Sequence, residues 1–228
     1  MLLKLIKLFI FNDFSFAADR VCDRHRKQVK RQGATCCWRL VCQYLCLKCK
    51  LRCEEGTRQL NKASRLREGI EEILPTEAHS LATDRLYVSI THSESGTNHS
   101  VSTFTSREEL IKVLLASCFV PVYAGLKPVE LRGKKWIDGG FTDSLPILPL
   151  GRTITVSPFA GRQDVCPIHR GRFKTQLSLA NMNIMLSVEN LKRLNQALFP
   201  PSTGAMRSLC EEGFTDAVRF LKREGWMG

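Results

Sequence analysis

A chain of 228 residues, 43% hydrophobic and 25% charged, has the length and residue usage of one globular domain with a sizeable core. No uninterrupted apolar run reaches the roughly 18 residues that a membrane-spanning helix needs. The net charge of +12 is not spread over the chain: residues 1–70 hold 16 Lys/Arg against 6 Asp/Glu, and residues 71–228 hold 18 against 16. This is a basic arm on a near-neutral body, with neither interleaved aromatics nor a recognisable binding motif, so no nucleic-acid partner is expected.

The first 65 residues form a compositional unit of their own. MLLKLIKLFIFNDFSFAA is apolar but interrupted by two lysines, which argues against a secretory signal. It fits an interfacial amphipathic helix with Lys4 and Lys7 opposite Leu2, Leu5, Ile6 and Phe9. Seven of the ten cysteines follow between Cys22 and Cys53. Cys42, Cys46, Cys49 and Cys53 fall on one helical stripe, which does not wrap a tetrahedral zinc, and CLKC at 46–49 has no second pair at finger spacing. The segment is read as an apolar stripe or a poorly folded segment, with no metal and no cofactor expected.

From Leu66 the elements become regular. RLREGIEEIL has helical spacing and stops at Pro75; LYVSIT at 86–91 is predicted as a strand, ESGTN as a turn and VSTFT at 101–105 as the returning strand. Ser106 and Glu109 form a capping box ahead of a buried helix that runs towards Pro121. A short strand at Lys135-Trp136-Ile137 enters Asp138-Gly139-Gly140, and TITVS at 153–157 reads as a buried strand. Helices over roughly 180–198 and 206–223 close the chain, the first ending at Pro200-Pro201. Strands separated by helices indicate an α/β fold with a layered core.

Asp138 carries the chemical question. An Asp followed by two glycines is commonly a turn former whose carboxylate bonds nearby amides. The other reading is functional: glycines permit a tight turn and leave the carboxylate at a strand exit, positioned as a general base. His79, His92, His99 and His169 lie in polar or turn-like stretches without metal spacing and are expected at the surface.

Three stretches taken together weigh that choice: SCFVPVYAG at 117–125, WIDGGFTDSLP at 136–146 and NLKRLNQALFPP at 190–201. The chain from about Leu66 to its end resembles the patatin-like phospholipase domain of the adipose triglyceride lipase and adiponutrin group, nearest its short fourth branch. The resemblance implies a layered sheet with flanking helices, and hydrolysis or transfer of acyl groups from lipid esters at a membrane or lipid-droplet surface. A cytoplasmic, peripheral protein is expected. In that family a Ser–Asp dyad does the work, and Asp138 matches its aspartate. Gly139 and Gly140 would allow its geometry, and Phe119, Val120, Tyr123 and Phe141 would line an acyl pocket, although residues at such spacings are also ordinary core.

The family's serine lies in G-x-S-x-G, and its oxyanion donors in a glycine-rich loop like G-x-G-x-x-G. Neither pattern occurs in the chain. At the matching place VKR (29–31) agrees with the family and QGATCCWRL then departs from it. A frameshift or an alternative exon would produce such a departure; a one-base shift across Cys36–Leu45 would force Gly at the Trp38 codon and permit Ala or Val at Cys42 and Ser or Asn at Gln43. That fits the family's pattern there, yet does not restore the serine. Thr35 in GAT lacks the second glycine of the elbow. The sequence therefore predicts two parts, a divergent basic segment at 1–65 and the C-terminal part of a patatin-like domain at 66–228, with the N-terminal strand and nucleophile elbow missing or divergent. A lipid acyl-ester hydrolase incomplete in this chain and a non-catalytic relative that binds lipid surfaces or partners both remain open.

Overall fold

The computed structural model describes residues 62–148, 152–169, 175–199 and 201–226. The basic arm, the cysteine stripe and Thr35 lie outside the described residues. Among those residues no helix is long and apolar enough to cross a membrane, and no group of three or more His, Cys, Asp or Glu side chains is placed to hold a metal ion.

Helix α1, Lys62–Ile73, turns Leu66 and Ile70 inward at the i,i+4 spacing of one helical face. It stops before Pro75, and the guanidinium of Arg107 donates to the carbonyls of Glu71 and Leu74 at 2.5 and 2.9 Å, satisfying acceptors that a helix end leaves without partners. Short helix α2, Ala78–Ala82, leads into strand β1, Val88–His92. Strand β2 is Asn98–Val101, paired antiparallel with β1 from Val88↔Val101 to Thr91↔Asn98. The predicted return strand at 101–105 is thus corrected: the ladder uses Asn98–Val101, because the turn takes only the stretch between His92 and Asn98.

Helix α3, Arg107–Ala116, begins at Ser106, whose hydroxyl accepts from the Glu109 amide. The Glu109 carboxylate does not complete the expected box at Ser106. It reaches one residue further back, accepting from the amide and hydroxyl of Thr105, both at 2.7 Å, and pairs with Arg132 at 2.7 Å. Ile111 and Val113 are fully buried, as are Val88 and Ile90 opposite them on β1. Each such side chain contributes about 1.5–3 kcal/mol on leaving water.

Strands β3, Val129–Leu131, and β4, Lys134–Asp138, form a hairpin through Arg132 and Gly133, both at positive φ as a two-residue turn of this kind demands. Strand β4 also pairs antiparallel with β1, so the sheet order is β2-β1-β4-β3. The rings of His92 and His99 stand T-shaped to the Trp136 ring, whose Nε1–H donates to the Leu131 carbonyl at 3.1 Å. The fold is α/β, with α1, α2 and α3 sharing one apolar core with this sheet.

The C-terminal half departs from the sequence reading twice. TITVS is not a buried strand: its residues 153–156 are half-buried and make only one isolated bridge, Val156↔Val165. The stretch expected to open a helix at 180 forms a second hairpin, β5, Gln176–Leu179, with β6, Met182–Met185, turned at Ala180 and Asn181, both at positive φ. Helix α4 starts only at Val188 and runs to Leu198. Helix α5, Thr203–Arg223, starts close to the predicted place and is capped by the Ser202 hydroxyl on the Ala205 amide.

Candidate functional site

Asp138 is the last residue of β4 and is only 3% exposed. Its main chain is held on both sides: the N–H donates to the Phe119 carbonyl at 2.9 Å, and its C=O accepts from the Thr91 hydroxyl at 3.0 Å. Its carboxylate caps the single 3-10 turn Gly139–Phe141 by accepting from the Gly140 amide at 3.3 Å. Strand exit and turn cap therefore coexist in one residue.

Gly139 shows why the sequence needs glycine there. A Cβ at this position would lie 2.2 Å from the Ser89 carbonyl oxygen and 2.4 Å from its Oγ, inside any tolerable contact. The turn can cross β1 this closely only because one side chain is missing.

Around it lies a polar cluster. The Asn98 amide donates to Ser89 Oγ at 2.8 Å and Thr142 Oγ1 at 2.9 Å, and Ser89 Oγ donates to the Asp143 carbonyl at 3.0 Å. Thr91 and Thr142 share a hydroxyl contact of 2.8 Å. Thr91 donates to the Asp138 carbonyl, so the single Thr142 hydroxyl proton is shared between Thr91 and the Gly139 carbonyl at 3.2 Å. The main-chain oxygen of Gly139 accepts from the Thr142 and Asp143 amides at 3.0 and 2.8 Å. Sequence reasoning did not single out Ser89, Thr91, Asn98 or Thr142. Their sole signal is the run of polar residues within two adjacent strands and just after the glycines. Such networks rigidify when every member has a partner.

The remaining expected residues are spread out. Phe119 is buried, and its ring faces Gly125, where a Cβ would touch it at 3.5 Å. Val120 and Tyr123 are half-buried, and the Tyr123 hydroxyl donates to the Leu198 carbonyl at the end of α4. Phe141 is 54% exposed. Phe119 reaches Asp138 through its carbonyl, and Phe141 through the turn. An open groove beside the turn is lined instead by Asp143, Leu145, Ile147, Ser178, Asn181 and Asn183. The Ser144 amide ties this edge to the second hairpin by donating to the Ala180 carbonyl at 2.7 Å.

The arrangement offers a buried carboxylate fixed in direction at the end of a strand, suited to accepting a proton. Among the described residues, the Ser144 hydroxyl donates to the Gly140 carbonyl at 3.1 Å and the Ser117 hydroxyl to the Leu114 carbonyl at 2.9 Å. Burial pushes the Cys166 thiol up from its ordinary value, which disfavours a nucleophilic thiolate there.

Comparison with known proteins bears on these residues. The family profile of patatin-like phospholipase matches residues 41–150. The chain is 60% identical over 163 residues to the human patatin-like phospholipase domain-containing protein 4, covering 72% of this chain and 64% of that protein. It is 41% identical over 165 residues to the rat patatin-like phospholipase domain-containing protein 2, covering 72% of this chain and 34% of that one. A mouse 1-acylglycerol-3-phosphate O-acyltransferase is 38% identical over 160 residues, 70% of this chain and 39% of the enzyme. The chain thus spans from about a third to just under two thirds of these relatives. No solved structure matches it.

Proposed function

The chain belongs to the patatin-like phospholipase family, and from that premise we propose that its fold serves acyl-ester chemistry on lipids, hydrolysis or transfer, with Asp138 as the general base. The observation that carries this reading is the fixed carboxylate at the exit of β4, in a turn whose first glycine has no room for a side chain. In that role Asp138 takes the proton of a hydroxyl while the hydroxyl's oxygen bonds the ester carbonyl carbon; Asp138 gives that proton to the departing oxygen, which leaves as the alcohol, and water or an acceptor alcohol, deprotonated by Asp138 in turn, takes the acyl group while the proton returns to the hydroxyl's oxygen. Support for transfer beside hydrolysis comes from a relative named as an acyltransferase. Triacylglycerols, retinyl esters and phospholipids are the substrate classes proposed, met by a cytoplasmic protein that is peripheral on membranes or lipid droplets.

The chain as written is proposed to be catalytically incomplete, because it holds no G-x-S-x-G and no G-x-G-x-x-G. That same observation favours a second reading, a non-catalytic relative that keeps the scaffold for binding lipid surfaces or partners. Loss of a nucleophile that works as a unit with its base removes on the order of 10⁶ in kcat. The chain should therefore neither react with a serine-directed fluorophosphonate nor hydrolyse a long-chain ester above background. Residues 66–228 joined to a relative's N-terminal portion that carries the serine elbow should do both, and lose both on Asp138→Asn. Retained activity in that Asp138→Asn chimera would remove Asp138 from the mechanism. Stoichiometric labelling of the chain as written would overturn its incompleteness.

A further inference from the structure

Directly after α3, the chain makes a tight hook whose tip is apolar and turned outward. Val122 is 82% exposed and Leu126 is 86% exposed, beside exposed Pro121 and Lys127. The hook is not loose. The Ala124 amide donates to the Val120 carbonyl at 2.8 Å and the Val122 amide to the Gly125 carbonyl at 2.9 Å. Gly125, at φ +144, folds back against the Phe119 ring. Val122 itself sits at φ +69, an unfavourable place for a β-branched residue. Exposed apolar side chains held in so ordered a loop are a candidate contact surface.

The hook continues into a second exposed apolar surface. The Tyr123 ring stands edge-on to Phe199 at 6.1 Å, and its hydroxyl bonds the Leu198 carbonyl, so the hook is latched to the end of α4. Phe199 is 58% exposed. On α4, Val188, Leu191 and Leu194 recur every third residue on the outer side, while Asn190 and Ala197 face inward. Lys127 flanks the hook and Lys192 flanks the α4 row, both exposed; Glu189 is the acidic residue in that helix's first turn.

We propose that Val122, Leu126, Phe199 and the outer row of α4 form one membrane-docking surface, its apolar side chains entering a phospholipid surface and Lys127 and Lys192 lying over anionic headgroups. The identity of the partner rests on the lipid-ester function proposed above. The exposed Lys127 and Lys192 on its flanks argue for an anionic surface. The geometry also sets the approach of substrate: Phe119, at the root of the hook, holds the Asp138 amide, so docking places the strand exit at the lipid boundary.

The test is sedimentation of the full 228-residue chain with vesicles of ether-linked phosphatidylcholine, with and without ether-linked phosphatidylserine, which no ester hydrolysis can alter. Val122→Asn with Leu126→Asn, asparagine being tolerant of positive φ, should lower partitioning on the order of 100-fold with the circular dichroism unchanged. Lys127→Glu with Lys192→Glu should abolish the preference for phosphatidylserine. Amide exchange of the unsubstituted chain should slow across 120–127 and 188–199 when vesicles are added, a readout that survives even if the variants fold poorly. Three results would overturn the proposal: unchanged partitioning of the hook variant while Leu5→Glu with Phe9→Glu in the basic arm abolishes it, no exchange protection at either segment, or a vesicle-free dimer that the hook variant converts to monomer. Failure here leaves the fluorophosphonate experiment untouched, and labelling there leaves this surface standing.

Discussion

The two halves of the described structure combine apolar burial and side-chain hydrogen bonding in different proportions. Around β1, β4 and α3 the interior is hydrocarbon: Val88, Ile90, Ile111 and Val113 are fully buried, and Trp136 closes the far side. Beyond residue 152 apolar side chains such as Phe159, Met182, Met185, Ala197, Met206 and Phe220 are buried too, but they are interleaved with side chains that bond backbone. Asn190 accepts from the Ala160 amide and donates to the Ala160 and Met185 carbonyls, at 2.9, 2.9 and 2.7 Å. Asp164 holds the amide and hydroxyl of Thr155 at 2.7 and 2.6 Å, and Gln163 donates to the Asn183 carbonyl at 2.8 Å. Apolar burial is non-directional and tolerant of small shifts, whereas hydrogen bonds fail abruptly when one partner moves. Asp138 belongs to the first kind of region, and the groove beside it is shared between the two.

Removing hydrocarbon from the first region should have the largest effect. Ile90→Ala, which empties the centre of the sheet directly opposite Asp138 in register, should cost about 2–5 kcal/mol in urea unfolding. A cost well under 1 kcal/mol would mean that the layered core is not what supports the strand exit.

Asn190→Ala attacks the second region and should cost about 1–3 kcal/mol by leaving buried backbone groups without a partner. Native-state hydrogen exchange sharpens the comparison: amides at 160–165 and 182–185 should lose protection while those of β1 and β4 keep theirs. Equal loss in both places would show a single cooperative unit.

The smallest effect is electrostatic. Burial acts to raise the Glu109 carboxyl, but the hydrogen bonds from Arg132 and Thr105 outweigh it and hold the group down at about 2, against the usual 4.5. A carboxylate depressed in the folded state stabilises it above the unfolded value, and that contribution is lost as pH falls from about 4.5 to about 2. Arg132→Gln should flatten the acid limb of the stability profile by on the order of 1 kcal/mol, since the arginine is half exposed. An unchanged limb would assign the acid sensitivity to other carboxylates.

The same division governs what could be read from the sequence. Helices α1 and α3, strand β4 and the Asp138-Gly139-Gly140 turn were legible because period, cap and breaker agreed locally. The second half misled where two periods overlap. NIMLSVENL fits a helical spacing, but Leu177, Leu179, Met182 and Ile184 also alternate, and the Ala180-Asn181 turn decides for a hairpin; Asn at positive φ was the signal available. TITVS alternates as a strand should, yet Asp164 satisfies Thr155 in place of a neighbouring strand. At the site, Asp138 was legible from its glycines and its resemblance to a family. Asn98 and Thr142 were not, since the 44 residues between them hide a contact that only strand pairing creates.

The missing side chain at Gly139 has a consequence for anyone scanning this region by substitution. Because a single added carbon collides with the Ser89 main chain, every replacement there fails for the same mechanical reason, whatever its polarity or charge. A map of inactive variants of the serine-bearing chimera would therefore give position 139 the strongest score in the neighbourhood while carrying no information about catalysis. Position 138, where Asn preserves shape and removes only the charge, is where such a map can separate chemistry from architecture.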